Sequence, residues 1–341
     1  MKSLWDRVRQ RLCISVAVGG MAKNTGKTVA LNYFIRAAQA DRRAIGLTSI
    51  GRDGETWDIL NFKLKPPINV LPGAIIATSE QALPKATAGL RVLATTGFDG
   101  PLGEVVLAEV VSAGAVELAG PSRKSQLVEV IQQLDAAGAE IVFIDGALDR
   151  QSFTDPNVAD CCILATGAEL AEAMDEVVKI TRDRVRQFLL PVSSAEMARH
   201  YQPGNVVVID NRELKVFPNY MTIIKSENFW RQLEDASIII FSGSLLNNTL
   251  MSILQSGINI SNLTIVVKDV TRLFVDGDTI AKLWAAGGKL LVIRPANLLA
   301  ITINPTSSEG QGFNSLEFHK IIRQAIPEVP IYDLVEGLGP V

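Results

Sequence analysis

The residues best suited to chemistry lie together near the N-terminus, in Gly20-Met21-Ala22-Lys23-Asn24-Thr25-Gly26-Lys27-Thr28. An apolar run, Cys13-Ile14-Ser15-Val16-Ala17-Val18, leads into this stretch. A helical pattern with Val29, Leu31, Phe34 and Ile35 apolar leaves it. A strand–turn–helix junction gathers free backbone N–H groups and the positive end of a helix at one point, which suits a chain of phosphates. Gly20 and Gly26 let the backbone come close to such a chain, with Lys23, Asn24 and Thr25 forming the turn between them. Lys27 can reach the β- and γ-phosphates, and the Thr28 hydroxyl can ligate Mg²⁺. ATP and Mg²⁺ are the expected cofactors. The commonest phosphate-binding spacing, G-x₄-G-K-[ST], would put its first glycine at Met21, and here Gly20 stands one place earlier. A surface turn carrying Gly-Lys-Thr by chance is the plain alternative, and the flanking strand and helix favour the phosphate reading.

A carboxylate completes the chemistry. Asp145 ends the apolar strand Ile141-Val142-Phe143-Ile144-Asp145. In a parallel sheet such a strand lies beside the first, and its terminal acid faces the metal. Lys27 and Asp145 are therefore the expected catalytic pair, with Thr28 and Asp145 as metal ligands. The alternative for Asp145 is an acid opening a turn, which Asp-Gly does often. Asp53 and Glu55 follow a second strand, Ala44 to Ile50, at the sheet edge where ligands collect. Both are candidate metal or substrate ligands, or members of a solvated glycine-rich loop. Gly120-Pro121-Ser122-Arg123-Lys124 opens a helix and could bind an anion, or Ser122 could simply cap it. Asn304 to Gly310 could line a cleft or form a plain loop. His200 and His319 stand far apart, which disfavours histidine-based catalysis.

Short apolar runs alternate with helical patterns, so the elements that must position these residues form βα units with a mainly parallel sheet. Helices are expected over 3–11, 27–41, 123–137 and 168–187, and strands over 13–18, 44–50, 141–145 and 161–165. A strand and helix should follow the Pro-rich 61–73, and two short strands should occupy 104–119. Pro191 to Gly204 breaks the pattern, and further strands are expected at 205–210, 237–241, 263–268, 290–294 and 299–303. The expected fold is α/β: a parallel-sheet nucleotide-binding domain over 1–195, then a second, smaller α/β domain over 205–341.

The composition bounds the partners. The chain has 341 residues, 48% of them hydrophobic, enough for a sizeable core. Lys+Arg is 33 against Asp+Glu 36, which argues against nucleic acid held by bulk positive charge. No apolar run reaches the ~18 residues of a membrane span. Charges interrupt Lys2 to Arg11 throughout, unlike a signal peptide. With 3 Cys, two of them adjacent, a disulfide framework is not expected, and Cys161-Cys162 reads as core packing in a strand. A cytoplasmic protein without nucleic-acid or membrane partners is expected.

The form Gly20-x₅-Gly26-Lys27-Thr28 resembles the dethiobiotin synthetase branch of the P-loop NTPases, whose members carry a strand ending in Glu-Gly where Asp145-Gly146 stands. That branch has a substrate lysine at the end of its second strand, where Ser49-Ile50-Gly51-Arg52-Asp53 offers only an arginine. The second lysine of MinD-like ATPases would fall at Ala22; Lys23 comes one place later and takes no such role. Together with Gly51-Arg-Asp-Gly-Glu55 and Ile144-Asp-Gly-Ala-Leu-Asp-Arg150, the loop resembles a more specific family. This is the P-loop reactivase subunit encoded beside the cobalamin-dependent lysine 5,6-aminomutase of amino-acid-fermenting bacteria. The Asn304-Pro-Thr-Ser307 loop fits the same family. The resemblance implies a chaperone-like ATPase whose partners are the lysine aminomutase and, in some arrangements, a second reactivase subunit, with a homo-oligomer left open. The rival readings are a small-molecule ATP-dependent ligase or kinase, and a nucleotide-switched assembly protein with little turnover.

Overall fold

The structure, a computed structural model, describes residues 3–50, 67–146, 155–210, 213–218, 233–308, 310 and 312–340. Asp53 and Glu55 lie outside the described residues, as does the whole segment 147–154. In chain order, the first strands are β1 (Ser15–Gly20), β2 (Ile45–Ser49), β3 (Ile68–Val70), β4 (Ile75–Ser79), β5 (Gly89–Gly100), β6 (Gly103–Ser112), β7 (Gly114–Val116), β8 (Ile141–Asp145) and β9 (Cys161–Gly167). They are followed by β10 (Asn205–Asp210), β11 (Glu213–Pro218), β12 (Ala236–Phe241), β13 (Leu245–Leu246), β14 (Thr264–Val267), β15 (Leu273–Phe274) and β16 (Lys289–Val292). The last two are β17 (Leu298–Asn304) and β18 (Ile331–Tyr332). The first helices are α1 (Leu4–Gln10), α2 (Lys27–Ala40), α3 (Lys124–Ala136), α4 (Met174–Phe188) and α5 (Ala195–Arg199).

The chain divides into two units, Met1–Thr181 with Asn297–Val341, and Arg182–Ala296. The first is built on a 9-stranded sheet of order β18-β17-β9-β1-β8-β2-β4-β6-β5. It is parallel from β18 to β4 and ends in the antiparallel β6 and β5. β1 is central and wholly buried, as are β2, β8 and β9, and helices cover both faces of such a sheet. α2 buries Ala30, Leu31, Phe34, Ile35 and Ala38. Phe34 stacks on Phe143 of β8 at 4.7 Å between ring centroids, which fixes α2 over the strands that flank its N-terminus. In the second unit a 5-stranded sheet has the order β11-β10-β12-β14-β16; β12, β14 and β16 run parallel, while β10 and β11 are antiparallel additions. Among the described residues no helix is long and apolar enough to cross a membrane.

The mixed α/β class agrees with the sequence pattern, but three expectations need correction. The boundary expected at 195–205 gives way to an insertion, because β17 pairs with β9 and returns residues 297–341 to the first unit. The helix expected after residue 73 is a 3₁₀ turn at Glu80–Lys85, followed by the long strand β5, and 104–119 holds one long strand and one short one. The cysteines form one cross-link: Cys13 and Cys161 are disulfide-bonded, with Cα atoms 6.2 Å apart. Its physical basis is register, since β1 and β9 pair with Val16 opposite Cys161 and the chain just before β1 then passes beside that cysteine.

Candidate functional site

The glycine-rich turn leaves β1 and enters α2 at the carboxyl edge of the large sheet. Gly26 is the residue before α2 and has φ 95°, a left-handed conformation open to glycine at little cost. Asn24, at φ 59°, is one of the few non-glycine residues in that region among the described residues, and asparagine tolerates it better than most. Thr25 is buried and its hydroxyl donates to the carbonyl oxygen of Ala22 at 2.9 Å, closing the turn on itself. A Cβ at Gly20 would stand 2.5 Å from Thr25 Oγ1 and 2.9 Å from Lys27 Cγ, so only glycine fits beneath the folded turn. A tight turn of successive backbone amides of this kind is able to cradle an anion. Lys23 is exposed, while Lys27 and Thr28 are buried.

Parallel register brings the candidate acid to the same place. Val18 of β1 lies opposite Asp145, and the Gly146 amide donates to the Val18 carbonyl oxygen at 3.0 Å. The Lys27 ammonium donates to the Gly146 carbonyl oxygen at 2.9 Å. The turn lysine and the strand end carrying Asp145 thus meet, although they are far apart in sequence. Asp145 is only 4% exposed. Thr28, one residue into α2, offers a hydroxyl at the head of the same junction. Among the described residues no group of three or more His, Cys, Asp or Glu could enclose a metal. A Mg²⁺ carried in on phosphates needs only one or two protein oxygens, and Thr28 and Asp145 are the candidate oxygens at this junction.

Sequence reasoning undervalued a second set of residues. Asn304, at the end of β17, donates from Nδ2 to the Asn24 carbonyl oxygen at 2.8 Å. Its Oδ1 accepts from the Thr306 hydroxyl at 2.8 Å. Glu169, just beyond β9, accepts from the Ser308 amide and hydroxyl, each at 2.7 Å, and from Asn24 Nδ2 at 3.4 Å. The loop after Asn304 therefore braces the glycine-rich turn instead of belonging to the second unit. The only sequence signal was an Asn-Pro step after an apolar run; the contact depends on the long-range pairing of β17 with β9.

On the other side, β2 ends beside Asp145, with Ser49 opposite it. Ser49 Oγ accepts from the Gly120 amide at 2.9 Å, which brings the Gly120–Lys124 segment to the same sheet edge. The residue capping α3 is Arg123, with no side-chain cap bond, so Ser122 does not cap this helix. Lys124 pairs with Asp155 at 3.0 Å. Burial pushes the Asp155 carboxyl up, but the Asn157 amide and Lys124 together outweigh it and hold the group below its usual range.

Fold and turn together define an α/β protein with a glycine-rich strand–turn–helix junction at the carboxyl edge of a mainly parallel sheet. Compared with protein-family models, curated proteins and solved structures, the chain matches none.

Proposed function

We propose that this chain binds Mg-ATP at the glycine-rich turn and acts as the P-loop ATPase subunit of a reactivase for an adenosylcobalamin-dependent lysine 5,6-aminomutase. The observation that carries the nucleotide half is the 2.9 Å hydrogen bond from Lys27 to Gly146, which joins a phosphate-type lysine to the strand end bearing Asp145. In this reading the backbone amides of the turn and the Lys27 ammonium hold the phosphates. Thr28 and Asp145 hold the metal, and Asp53 and Glu55 are kept as further candidate ligands. Mg²⁺, when bound, neutralises charge on the terminal phosphates. Gly20 and Gly26 keep the amides close to the ligand, and Asn304 holds Asn24 so that they converge.

The reactivase half rests on the resemblance of Gly20–Thr28, Gly51–Glu55 and Ile144–Arg150 to that family. Nucleotide state would bias two conformations with different affinity for the mutase, allowing damaged cofactor to leave and intact cofactor to enter. The partners are the mutase and, where one is encoded, a second reactivase subunit. A homo-oligomer and a cytoplasmic setting belong to the same reading; nucleic acid and membrane do not. The test takes mutase inactivated by turnover and adds this protein, ATP, Mg²⁺ and fresh adenosylcobalamin. Activity should return only with ATP and should fail to return with Lys27→Ala. Equal recovery without ATP, or none while nucleotide binds normally, would refute the reactivase and favour a small-molecule ligase or kinase.

A further inference from the structure

The second unit has a carboxyl edge of its own, and its side chains share one chemistry. β12, β14 and β16 run parallel with Phe241 opposite Val267 and Val267 opposite Val292. Their next residues, Ser242, Lys268 and Ile293, therefore stand side by side at spacings of about 4.8 Å per strand. β13 pairs in parallel with β15, Leu245 opposite Leu273. The turn from Ser242 to Ser244 and the turn from Lys268 to Arg272 are each held between two paired strands, so they lie next to each other. The Arg294 amide donates to the Lys268 carbonyl oxygen at 2.9 Å, which brings the end of β16 to the same spot. Tyr201 packs on Val207, Ile240 and Val266 across one face of this sheet.

Ser242 is 7% exposed, and its hydroxyl has no hydrogen-bond partner. The Nε of Arg272 is likewise buried without a partner. Ser193 follows Val192, which bridges to Val292, and its hydroxyl too is buried and unpartnered. Buried polar atoms normally find partners, and unpaired donors gathered at one strand edge point to a ligand that supplies acceptors. The charge has the matching sign. Lys268, Arg272 and Arg294 are cationic, while the one acid in the turn, Asp269, already accepts from the Thr271 amide at 2.9 Å and hydroxyl at 2.5 Å.

We infer that the carboxyl edge of β12, β14 and β16 is a second ligand site, one that takes a small molecule bearing an oxyanion, phosphate or carboxylate, through Arg272, Arg294 and the hydroxyl of Ser242. Arginine's planar fork suits either group bidentately, and a hydroxyl donor completes the third side. The environment of Tyr201 fits: burial raises its phenol above the ordinary value, Arg272 and Arg294 pull it down, and Asp269 pushes it up, so the ring stands within reach of the same charges.

The test separates this site from the glycine-rich turn by using the full chain carrying Lys27→Ala. Calorimetric titrations with inorganic phosphate and with succinate distinguish the two sources of oxyanion. At least one should bind saturably to that chain, and adding Arg272→Gln should weaken it by about tenfold or more. Arg294→Gln at the exposed end of the cluster, and Ser242→Ala, should each weaken the same isotherm, and thermal melts identify any variant that fails to fold. Absence of saturable binding by either anion to the Lys27→Ala chain would overturn the inference. So would unchanged affinity in folded Arg294→Gln and Ser242→Ala.

Discussion

The Lys27 ammonium donates to the carbonyl oxygen of Gly146 at 2.9 Å, so the head of α2 and the end of β8 are tied at the point where β1 opens into its glycine-rich turn. Lys27 and Asp145 are both buried there. A buried lysine and a buried acid at a parallel sheet's carboxyl edge are costly unless hydrogen bonds or an opposite charge satisfy them, and the Gly146 carbonyl supplies one such bond to Lys27.

Asp145→Asn keeps the shape of the strand end and removes its charge. Hydrolysis should fall more than nucleotide affinity, because the metal that Asp145 is proposed to hold stabilises charge developing in the transition state. Steady-state ATPase rates at saturating Mg²⁺, set beside binding isotherms, measure the split. Equal turnover in parent and variant would remove Asp145 from the metal site.

Asn304→Ala deletes the 2.8 Å hydrogen bond that holds the Asn24 carbonyl, with its left-handed backbone, in place. One such bond contributes about 0.5–1.5 kcal/mol net, so ATP affinity should weaken by roughly twofold to tenfold. The melting temperature should change little, since Asn304 is only half-buried at the end of its strand. A large loss of stability with unchanged affinity would make Asn304 a fold residue instead.

How much of this was legible in the sequence depends on how local each signal is. The strand before the turn and the helix after it lie close to their expected bounds, because the apolar run and the helical spacing are read within a dozen neighbours. The strand that ends at Asp145 was legible for the same reason. The strand at 298–304 was also recognised as a strand but assigned to the wrong unit, since its partner β9 is distant in sequence and nothing local names it. β5 was obscured by register shifts and by Gly97 at φ 77°, which break the alternation that marks a strand. The bracing by Asn304 and Glu169, and the pairing of Cys13 with Cys161, are likewise consequences of register and not of composition.

The Cys13–Cys161 cross-link closes a loop of sequence separation 148. Under denaturing conditions without reductant, thiol titration should find one reactive group in a chain of 3 cysteines, and all of them after reduction. Cys13→Ser should cost roughly 2–4 kcal/mol in denaturant unfolding under oxidising conditions. Three reactive thiols before reduction, with no stability change in Cys13→Ser, would exclude the bond.

Asp155 should make stability depend on acid. Its folded-state carboxyl is held below the ordinary range by the Asn157 amide and Lys124, against the opposing effect of burial. A depressed carboxyl contributes stability that is present above its unfolded value and lost as pH falls through the folded one, so the window lies below about pH 4. Asp155→Asn should melt lower than the parent at pH 7, and the gap should close on acidification through that window. A gap that widens with acid would contradict the assignment.

The central claim is that the glycine-rich turn holds a Mg-nucleotide through Lys27, and calorimetric titration of the full chain with Mg-ATP tests it most directly. Lys27→Ala removes a charge-assisted contact worth about 1.5–3 kcal/mol. The parent should bind saturably, and the variant should bind about tenfold more weakly or worse while melting as a folded protein. A folded Lys27→Ala chain that binds Mg-ATP as tightly as the parent, or a parent that does not bind it, would contradict the account.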